Sequence, residues 1–128
     1  MHRDAHGVSI HFMGRNDVEV IKTKNRNAVQ LAPSGRLDIT TGPILTRIFD
    51  QALGEGERFF VLDCEHLEYI SSAGLREILK MEKKLQSLNG RLVLCNLHGV
   101  VRDIFQFSGF LNLFAVSDTV EAALDVIQ

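Results

Sequence analysis

The segment 59–87 constrains the fold more than any other part of the chain. It begins with a continuous apolar run at 59–62, crosses a short polar loop and continues into an amphipathic stretch. A run that is apolar at successive positions favours a strand covered on both faces. From Ser72 onward, Leu75, Ile78 and Leu85 recur at helical spacing with charged residues between them. The pattern predicts a strand–loop–helix unit of a layered α/β fold.

The flanking residues show the same alternation of strand and helix patterns. Alternating apolar residues predict two short strands around a polar turn at 22–27, with Pro33-Ser-Gly35 ending the second strand. Further along the chain, the predicted strands are 91–97 and 113–116, and the predicted helices are 43–54, 99–109 and 119–127.

Strands that alternate with helices imply right-handed crossovers and parallel pairing. Because two strands precede the first helix, the N-terminal edge of the sheet should be antiparallel or mixed. We therefore predict a single-domain α/β sandwich. It should have a mainly parallel sheet of four to five strands with a mixed N-terminal edge and about four helices packed on it. The domain should span residues 17–128, after a flexible N-terminal extension of residues 1–16.

Composition excludes several classes of protein. The 128 residues suffice for one domain, and a formal net charge of −2 provides no field that would attract nucleic acid. No apolar run approaches the roughly 20 residues that span a bilayer, and the first residues lack the apolar core of a secretory signal. Cys64 and Cys95 each end an apolar run and should be buried free thiols. These features predict a cytoplasmic protein that neither enters membranes nor binds nucleic acid.

Three histidines, His2, His6 and His11, lie in the predicted N-terminal extension. Apart from His2 and His6, their spacing does not match a helical pair of metal ligands. A flexible tail is therefore the favoured interpretation, with a metal site as the alternative. The chain has no Gly-x-Gly-x-x-Gly or Walker-type loop, and no cofactor or metal is expected.

Ser71 and Ser72 open the amphipathic helix, and three interpretations compete for them. A serine at a helix start is a preferred N-cap, worth about 1 kcal/mol, and needs no further function. A nucleophilic serine is disfavoured, because the Gly-x-Ser-x-Gly turn is missing and no pattern assigns His66 or His98 as its base. Phosphorylation is the third interpretation, because free N–H groups at a helix start tolerate a phosphate.

Several motifs resemble those of the STAS family of anti-sigma-factor antagonists, which are bacterial partner-switching regulators. The resemblance extends over roughly residues 18–127, and it implies a STAS-like fold, no enzymatic activity and a phosphorylated serine. The motifs are Gly35-Arg-Leu-Asp38, Val61-Leu-Asp63, Tyr69-Ile-Ser-Ser-Ala-Gly-Leu-Arg76, Gly90-Arg-Leu-Val-Leu and Val101-Arg-Asp-Ile-Phe.

In that family the central motif is usually Asp-Ser-(Ser/Thr)-Gly-Leu, and its first serine is phosphorylated. Aligned on Gly74-Leu75, Ser72 takes the phosphoacceptor position and Ser71 stands where the family has the aspartate, so Ser71 is the second choice. Asp38 matches an acidic residue expected near the phosphorylation site, although a turn-stabilising aspartate explains it equally well. The residues for which the resemblance implies partner binding are Asp38, Ser71, Ser72, Gly74, Leu75 and Arg76.

The resemblance also implies the partners. The unphosphorylated protein would bind an anti-sigma factor that is a serine kinase of the histidine-kinase-like ATPase type. Phosphorylation of Ser72 would release this partner, and a PP2C-type phosphatase would reset the switch. A STAS scaffold that is never phosphorylated, in a signalling or lipid-transport assembly, is the alternative function. A small serine hydrolase is a more distant one.

Two further surfaces are candidates for contact with other molecules. One is the helix face that carries Arg76, Lys80, Lys83 and Lys84, although a solvated face is the default for such charges. The other is an aromatic cluster for which core packing is the main interpretation. Its members are Phe105, Phe107, Phe110 and Phe114, of which Phe107 and Phe110 are the two to test for exposure.

Overall fold

Antiparallel strands form the N-terminal side of the sheet. The computed structural model describes residues 9–13 and 18–127. Strand β1 (Ser9–Met13) pairs with β2 (Val18–Asn25), which pairs with β3 (Ala28–Leu37). Arg26, at φ 55°, and Asn27 form the turn between β2 and β3. This two-residue turn is tighter than the one predicted at 22–27, because both strands extend towards it.

Part of the predicted N-terminal extension forms a strand, β1. A flexible extension is predicted for residues 1–16, but Ser9–Met13 lies antiparallel to β2 and widens the sheet. Backbone pairing with the edge of β2, which no local composition reveals, places this segment. His11 belongs to β1, whereas His2 and His6 lie outside the described residues, as does most of the predicted extension. The domain boundary at residue 17 remains a prediction.

The rest of the sheet is parallel. Its order is β1-β2-β3-β4-β6-β7, with β5 paired to β3. The pairs β3–β4, β3–β5, β4–β6 and β6–β7 all run in the same direction. The elements after β3 are α1 (Gly42–Gly54), β4 (Phe59–Asp63), β5 (Leu67–Ile70), α2 (Ser72–Ser87), β6 (Arg91–Cys95), α3 (Gly99–Phe107), a 3-10 turn (Phe110–Leu113), β7 (Ala115–Ser117) and α4 (Val120–Ile127).

This arrangement confirms the mainly parallel α/β fold with a mixed N-terminal edge. The described residues contain the four α-helices that were expected but seven strands, more than the four to five predicted. Strands β1 and β5 account for the difference. Both are short, and β5 occupies the polar segment between β4 and α2 that reads as a loop from its composition.

Strand β3 pairs with two strands in succession. Val29–Leu31 lies beside β4, and the end of β3, from Gly35 to Leu37, lies beside β5. The prediction that Pro33-Ser-Gly35 ends the strand is wrong. The register shifts after Gly35, which adopts φ 90° and donates its N–H to the carbonyl of His66 at 3.1 Å. The irregularity follows the glycine, whereas Pro33 stays in register with Val20 of β2 and lies between the residues that pair with β4 and those that pair with β5.

Helices cover both faces of the sheet. The larger core cluster includes Phe49, Phe60 and Leu75 and receives the apolar sides of α1, α2 and α3. The smaller cluster joins Val61, Val93, Cys95 and Leu124 under α4. Strands β4 and β6 are therefore buried on both faces, which confirms the interpretation of their continuous apolar runs.

Both cysteines are buried free thiols, as predicted. Burial raises the pKa of both thiols, that of Cys95 to about 12. Within 9–13 and 18–127, no helix combines the length and hydropathy needed to cross a bilayer. The same residues contain no group of three or more histidine, cysteine or acidic side chains arranged to hold a metal ion.

Candidate functional site

The pairing of β3 with β5 brings two distant segments to one corner of the molecule. Leu37 lies opposite Ile70 at the ends of these parallel strands. One residue further, the N–H of Ser71 donates to the carbonyl of Leu37 at 2.9 Å. Asp38 then begins the loop that leads to α1, and Ser72 begins α2. The predicted phosphorylation segment and the predicted acidic residue are therefore neighbours.

The two serines have different roles. Ser71 has an extended backbone and is the N-cap of α2, because its hydroxyl accepts the N–H of Gly74 at 3.2 Å. Its carbonyl accepts the N–H of Leu75 at 2.9 Å, which is the first hydrogen bond of the helix. The Ser71 hydroxyl therefore satisfies one of the four N–H groups that a helix start leaves without a partner. Ser72 is the first helical residue and is exposed. No hydrogen bond to the part of the chain described here occupies its hydroxyl, which is left available for chemistry.

Asp38 organises the loop that it begins. Its Oδ1 accepts the hydroxyl of Thr40 at 2.9 Å and the N–H groups of Thr40 and Thr41 at 3.0 and 3.1 Å. These hydrogen bonds, that of the Thr40 hydroxyl foremost, lower the pKa of Asp38. The Thr41 hydroxyl, only 1% exposed, donates to the carbonyl of Arg36 at 2.7 Å and accepts the N–H of Asp38. The turn-stabilising role of Asp38 is confirmed, and its contact with a partner stays a prediction.

Gly74 and Leu75, two of the residues expected to face a partner, are buried. A Cβ on Gly74 would lie 2.5 Å from the carbonyl oxygen of Leu37 and 2.9 Å from the side chain of Ile70. Leu75 is 2% exposed and belongs to the core. This part of the expectation is corrected: the two residues place the helix start against β3 and do not form surface.

Ile39 supplies the exposed apolar surface at this corner. It lies in the Asp38 loop with 75% of its surface exposed. No sequence pattern marks Ile39, because one isoleucine among polar residues carries no periodic signal, and only the hydrogen-bonded loop directs it outward. A groove of about 420 Å³ runs from this loop along α2. The groove is lined by Ile39, Ala73, Arg76, Glu77, Leu79, Lys80 and Lys83.

The cationic face of α2 is partly neutralised. Lys80 pairs with Glu77 at 3.0 Å, and Lys84 pairs with Asp50 of α1 at 2.9 Å. Glu77 also accepts the hydroxyl of Thr46 at 2.6 Å. Burial acts to raise the pKa of Glu77, but the hydrogen bonds from Thr46 and Lys80 prevail and lower it. The contacts of Lys84 with Asp50 and of Glu77 with Thr46 hold α2 against α1, whereas the pair of Lys80 and Glu77 lies within α2.

Arg76 and Lys83 complete the rim of the groove. Both are exposed, and between residues 18 and 127 no ion pair engages either of them. The groove therefore combines apolar contacts from Ile39 and Leu79 with two available positive charges. Such a surface fits a partner segment with apolar and acidic side chains.

The histidines considered as a catalytic base lie elsewhere. His66 and His98 line a separate groove of about 730 Å³ between β2, β3 and the start of α3, which Ser72 does not line. The Nε2 atom of His98 is 2.7 Å from the carbonyl oxygen of Glu65. The structure therefore does not bring either histidine into the groove beside the serine pair.

The aromatic cluster is mainly core, as predicted. The rings of Phe105 and Phe114 are buried, with centroids 5.9 Å apart. Phe110 packs partly buried against the same core, whereas Phe107 is 86% exposed. Of the two residues singled out for exposure, only Phe107 forms surface.

The fold and this corner of the molecule define a known class of domain. The STAS domain family matches residues 19–123, which include all of β2 except its first residue, strands β3–β7 and helices α1–α3. The chain therefore belongs to the STAS domain family.

Relatives and solved structures extend this assignment. A Bordetella bronchiseptica protein, provisionally named anti-sigma factor antagonist BtrV, is 52% identical over 69 residues. These residues are 54% of this chain and span only 60% of that relative. The crystal structure of an anti-sigma factor antagonist from Mycobacterium paratuberculosis has a TM-score of 0.78 at 19% identity, covering 91% of this chain and 98% of that one. The Bacillus cell fate determinant SpoIIAA in its phosphorylated form has a TM-score of 0.63 at 22% identity, covering 95% and 100% of the two chains.

Proposed function

We propose that this protein is an anti-sigma-factor antagonist that releases its partner when Ser72 is phosphorylated. The proposal is based on the different structural roles of the two serines. Ser71 is occupied as the helix cap, whereas the hydroxyl of Ser72 is exposed and uncommitted. A kinase could therefore modify Ser72 without removing the hydrogen bond that starts α2.

The family and its named members support this function. The chain belongs to the STAS domain family, and the relatives described above carry the name anti-sigma factor antagonist. SpoIIAA, which shares the fold, has been solved in a phosphorylated form. We infer that this chain has the same kind of partner, an anti-sigma factor that is a serine kinase of the histidine-kinase-like ATPase type. A PP2C-type phosphatase would reverse the modification, and the exchange would take place in the cytoplasm.

In the unphosphorylated state, the docking surface would combine the Asp38 loop with the exposed face of α2. Ile39 offers an apolar contact, and Arg76 and Lys83 offer charges for acidic groups of the partner. Burial of one isoleucine side chain contributes roughly 1.5–3 kcal/mol to association. The Ser72 hydroxyl lies beside this surface, so a partner seated there would also reach the phosphoacceptor.

Phosphorylation would change the interface far more than the fold. It adds about −1.5 to −2 charges to Ser72. In the free protein, water solvates this charge. The interaction of the phosphate with the positive end of the helix dipole stabilises it by roughly 0.3–2 kcal/mol. At a docked interface the dianion must lose water, which costs several kcal/mol unless the partner supplies a cation. A cost of about 4 kcal/mol corresponds to roughly a thousandfold lower affinity.

The first test identifies the modified residue. Each purified histidine-kinase-like ATPase of the source organism is incubated with ATP and with wild-type protein, Ser72→Ala or Ser71→Ala, and intact masses are measured. We expect the gain of one phosphoryl group in the wild type and in Ser71→Ala, and no gain in Ser72→Ala. Modification of Ser72→Ala but not of Ser71→Ala would assign the site to Ser71.

The second test concerns the switch itself. Titration calorimetry compares binding of the same ATPase to unmodified and phosphorylated protein, and we expect about a hundredfold to a thousandfold weaker binding after phosphorylation. Equal affinities would contradict the switch. Binding without any phosphorylation would instead favour the alternative, a STAS scaffold in a signalling or transport assembly.

A further inference from the structure

Arg76 is one helical turn away from Ser72. Both residues are exposed on α2 and are four positions apart, so they lie on the same side of the helix. Side chains of an α-helix lean towards its N-terminus, which directs the long side chain of Arg76 back towards Ser72. Arg76 is also the first basic residue after Ser72 on this helix.

The neighbouring carboxylates are engaged by other groups. Glu77, next to Arg76 in the chain, binds Thr46 and Lys80. Oδ1 of Asp38 accepts three hydrogen bonds within its own loop, from Thr40 and Thr41. Across residues 18–127, Arg76 takes part in none of the ion pairs. Its guanidinium is therefore a charge without an anion, at the edge of the groove.

We propose that Arg76 is the intramolecular counter-ion of phosphorylated Ser72. This proposal rests on the proposed function, because it concerns the modified state of the same serine. The planar guanidinium presents paired N–H donors that match phosphate oxygens, and an anion placed four residues before a cation is the favourable order on a helix. Lys83 lies eleven residues after Ser72, about three turns or roughly 16 Å along the axis, and is too distant to take this role.

The pairing has a consequence for partner release. When Ser72 is unmodified, Arg76 is available at the rim of the groove for an acidic group of the partner. When Ser72 carries a phosphate, the same guanidinium turns to the phosphate. Phosphorylation thus withdraws a cation from the docking surface while it adds an anion beside it, and both changes oppose binding of an acidic segment.

The test places phosphoserine at position 72 during translation, which requires neither kinase nor partner. Phosphorus NMR then follows the second ionisation of the phosphoserine in the wild type, Arg76→Gln, Arg76→Lys and Lys83→Gln. An exposed ion pair should make the second pKa of the phosphoserine lower in the wild type than in Arg76→Gln by roughly half a unit. Arg76→Lys should retain part of the effect, and Lys83→Gln, the matched control, should behave as the wild type.

A second measurement, the thermal midpoint with and without the phosphate, reports the same pairing as a change in stability. The helix start is identical in all four proteins, so any difference between the wild type and Arg76→Gln belongs to the guanidinium. Equal phosphoserine pKa values in these two proteins, or an equal change in Lys83→Gln, would overturn the proposal. Failure of every kinase to modify Ser72 would refute the proposed function but leave this result intact, so the two failures are distinguishable.

Discussion

The carbonyl oxygen of Leu37 lies so close to Gly74 that a Cβ at position 74 would be only 2.5 Å from it. The same oxygen accepts the N–H of Ser71 at 2.9 Å. One backbone atom at the end of β3 therefore contacts both the cap and the first turn of α2. This close approach holds the Asp38 loop beside the Ser72 hydroxyl.

The first prediction concerns Gly74→Ala. The added methyl group must displace either the backbone at Leu37 or the first turn of α2, and the side chain of Ile70 closes the remaining space. We expect the free energy of unfolding to fall by about 1–3 kcal/mol, although alanine is intrinsically the better helix former. Urea denaturation measures the change.

Gly54→Ala is the matched control for this substitution. Gly54 is the last residue of α1, and a Cβ there would meet no atom within 4 Å. The free energy of unfolding of Gly54→Ala should equal or slightly exceed that of the wild type. If Gly74→Ala were as stable as Gly54→Ala, the contact between Leu37 and Gly74 would not constrain the site.

The second prediction separates the two serines by stability. Ser71→Ala removes the cap of α2 and should cost about 0.5–2 kcal/mol. Ser72→Ala removes an exposed hydroxyl and should change the free energy of unfolding by less than about 0.5 kcal/mol. Chemical denaturation of both variants gives the comparison. A larger loss in Ser72→Ala would mean that Ser72 caps the helix and that its hydroxyl is not available.

The third prediction is a pH dependence that arises from Asp38. The pKa of its carboxyl is lower in the folded protein than the ordinary value of 3.8. The ionised form therefore stabilises the fold above that value, and the stabilisation is lost as the pH falls through the folded pKa. Between about pH 5 and pH 3, the wild type should lose more stability than Asp38→Asn, which keeps an acceptor oxygen but does not ionise.

Thr40→Val provides the control for this effect. It preserves the carboxylate but removes the hydroxyl that contributes most to the lowered pKa of Asp38. Its pH dependence should lie between those of the wild type and Asp38→Asn. Parallel stability curves for the wild type and Asp38→Asn would show that the loop does not favour the ionised form.

The fourth prediction tests the docking surface. Ile39 is 75% exposed, so Ile39→Ser should leave stability unchanged. Its affinity for the ATPase that phosphorylates Ser72 should fall by roughly tenfold or more, since the buried side chain contributes about 1.5–3 kcal/mol. Val126→Ser, at a 44% exposed position of α4, is the control and should bind as the wild type does. Undiminished affinity of Ile39→Ser would place the interface elsewhere.

Several elements could be predicted from local patterns. The bounds of α2 agree with its prediction at both ends, because serines open it and Asn89-Gly90 follows its apolar stripe. Strand β4 was evident from its continuous apolar run. Strand β5 has no such signal, because its polar residues, including Glu68, give it the composition of a loop. Pro33 and Gly35 predict a strand end, but β3 continues because its last residues pair with β5, a contact between distant segments.

Local patterns along the chain specify the layered α/β fold, the serine pair at a helix start and the family. These features depend on periodicity, capping chemistry and short motifs, all of which act among neighbouring residues. The three-dimensional fold, in contrast, makes Ser71 the cap and leaves the Ser72 hydroxyl without a hydrogen bond to the described residues. It also buries Gly74 and Leu75 and exposes Ile39. The hydrogen-bonded Asp38 loop directs Ile39 outward. The positions of Ser71 and Gly74 depend on the pairing of β3 with β5, which places Leu37 against both of them. That pairing joins segments far apart in the chain, and no local pattern specifies which strand edges will meet.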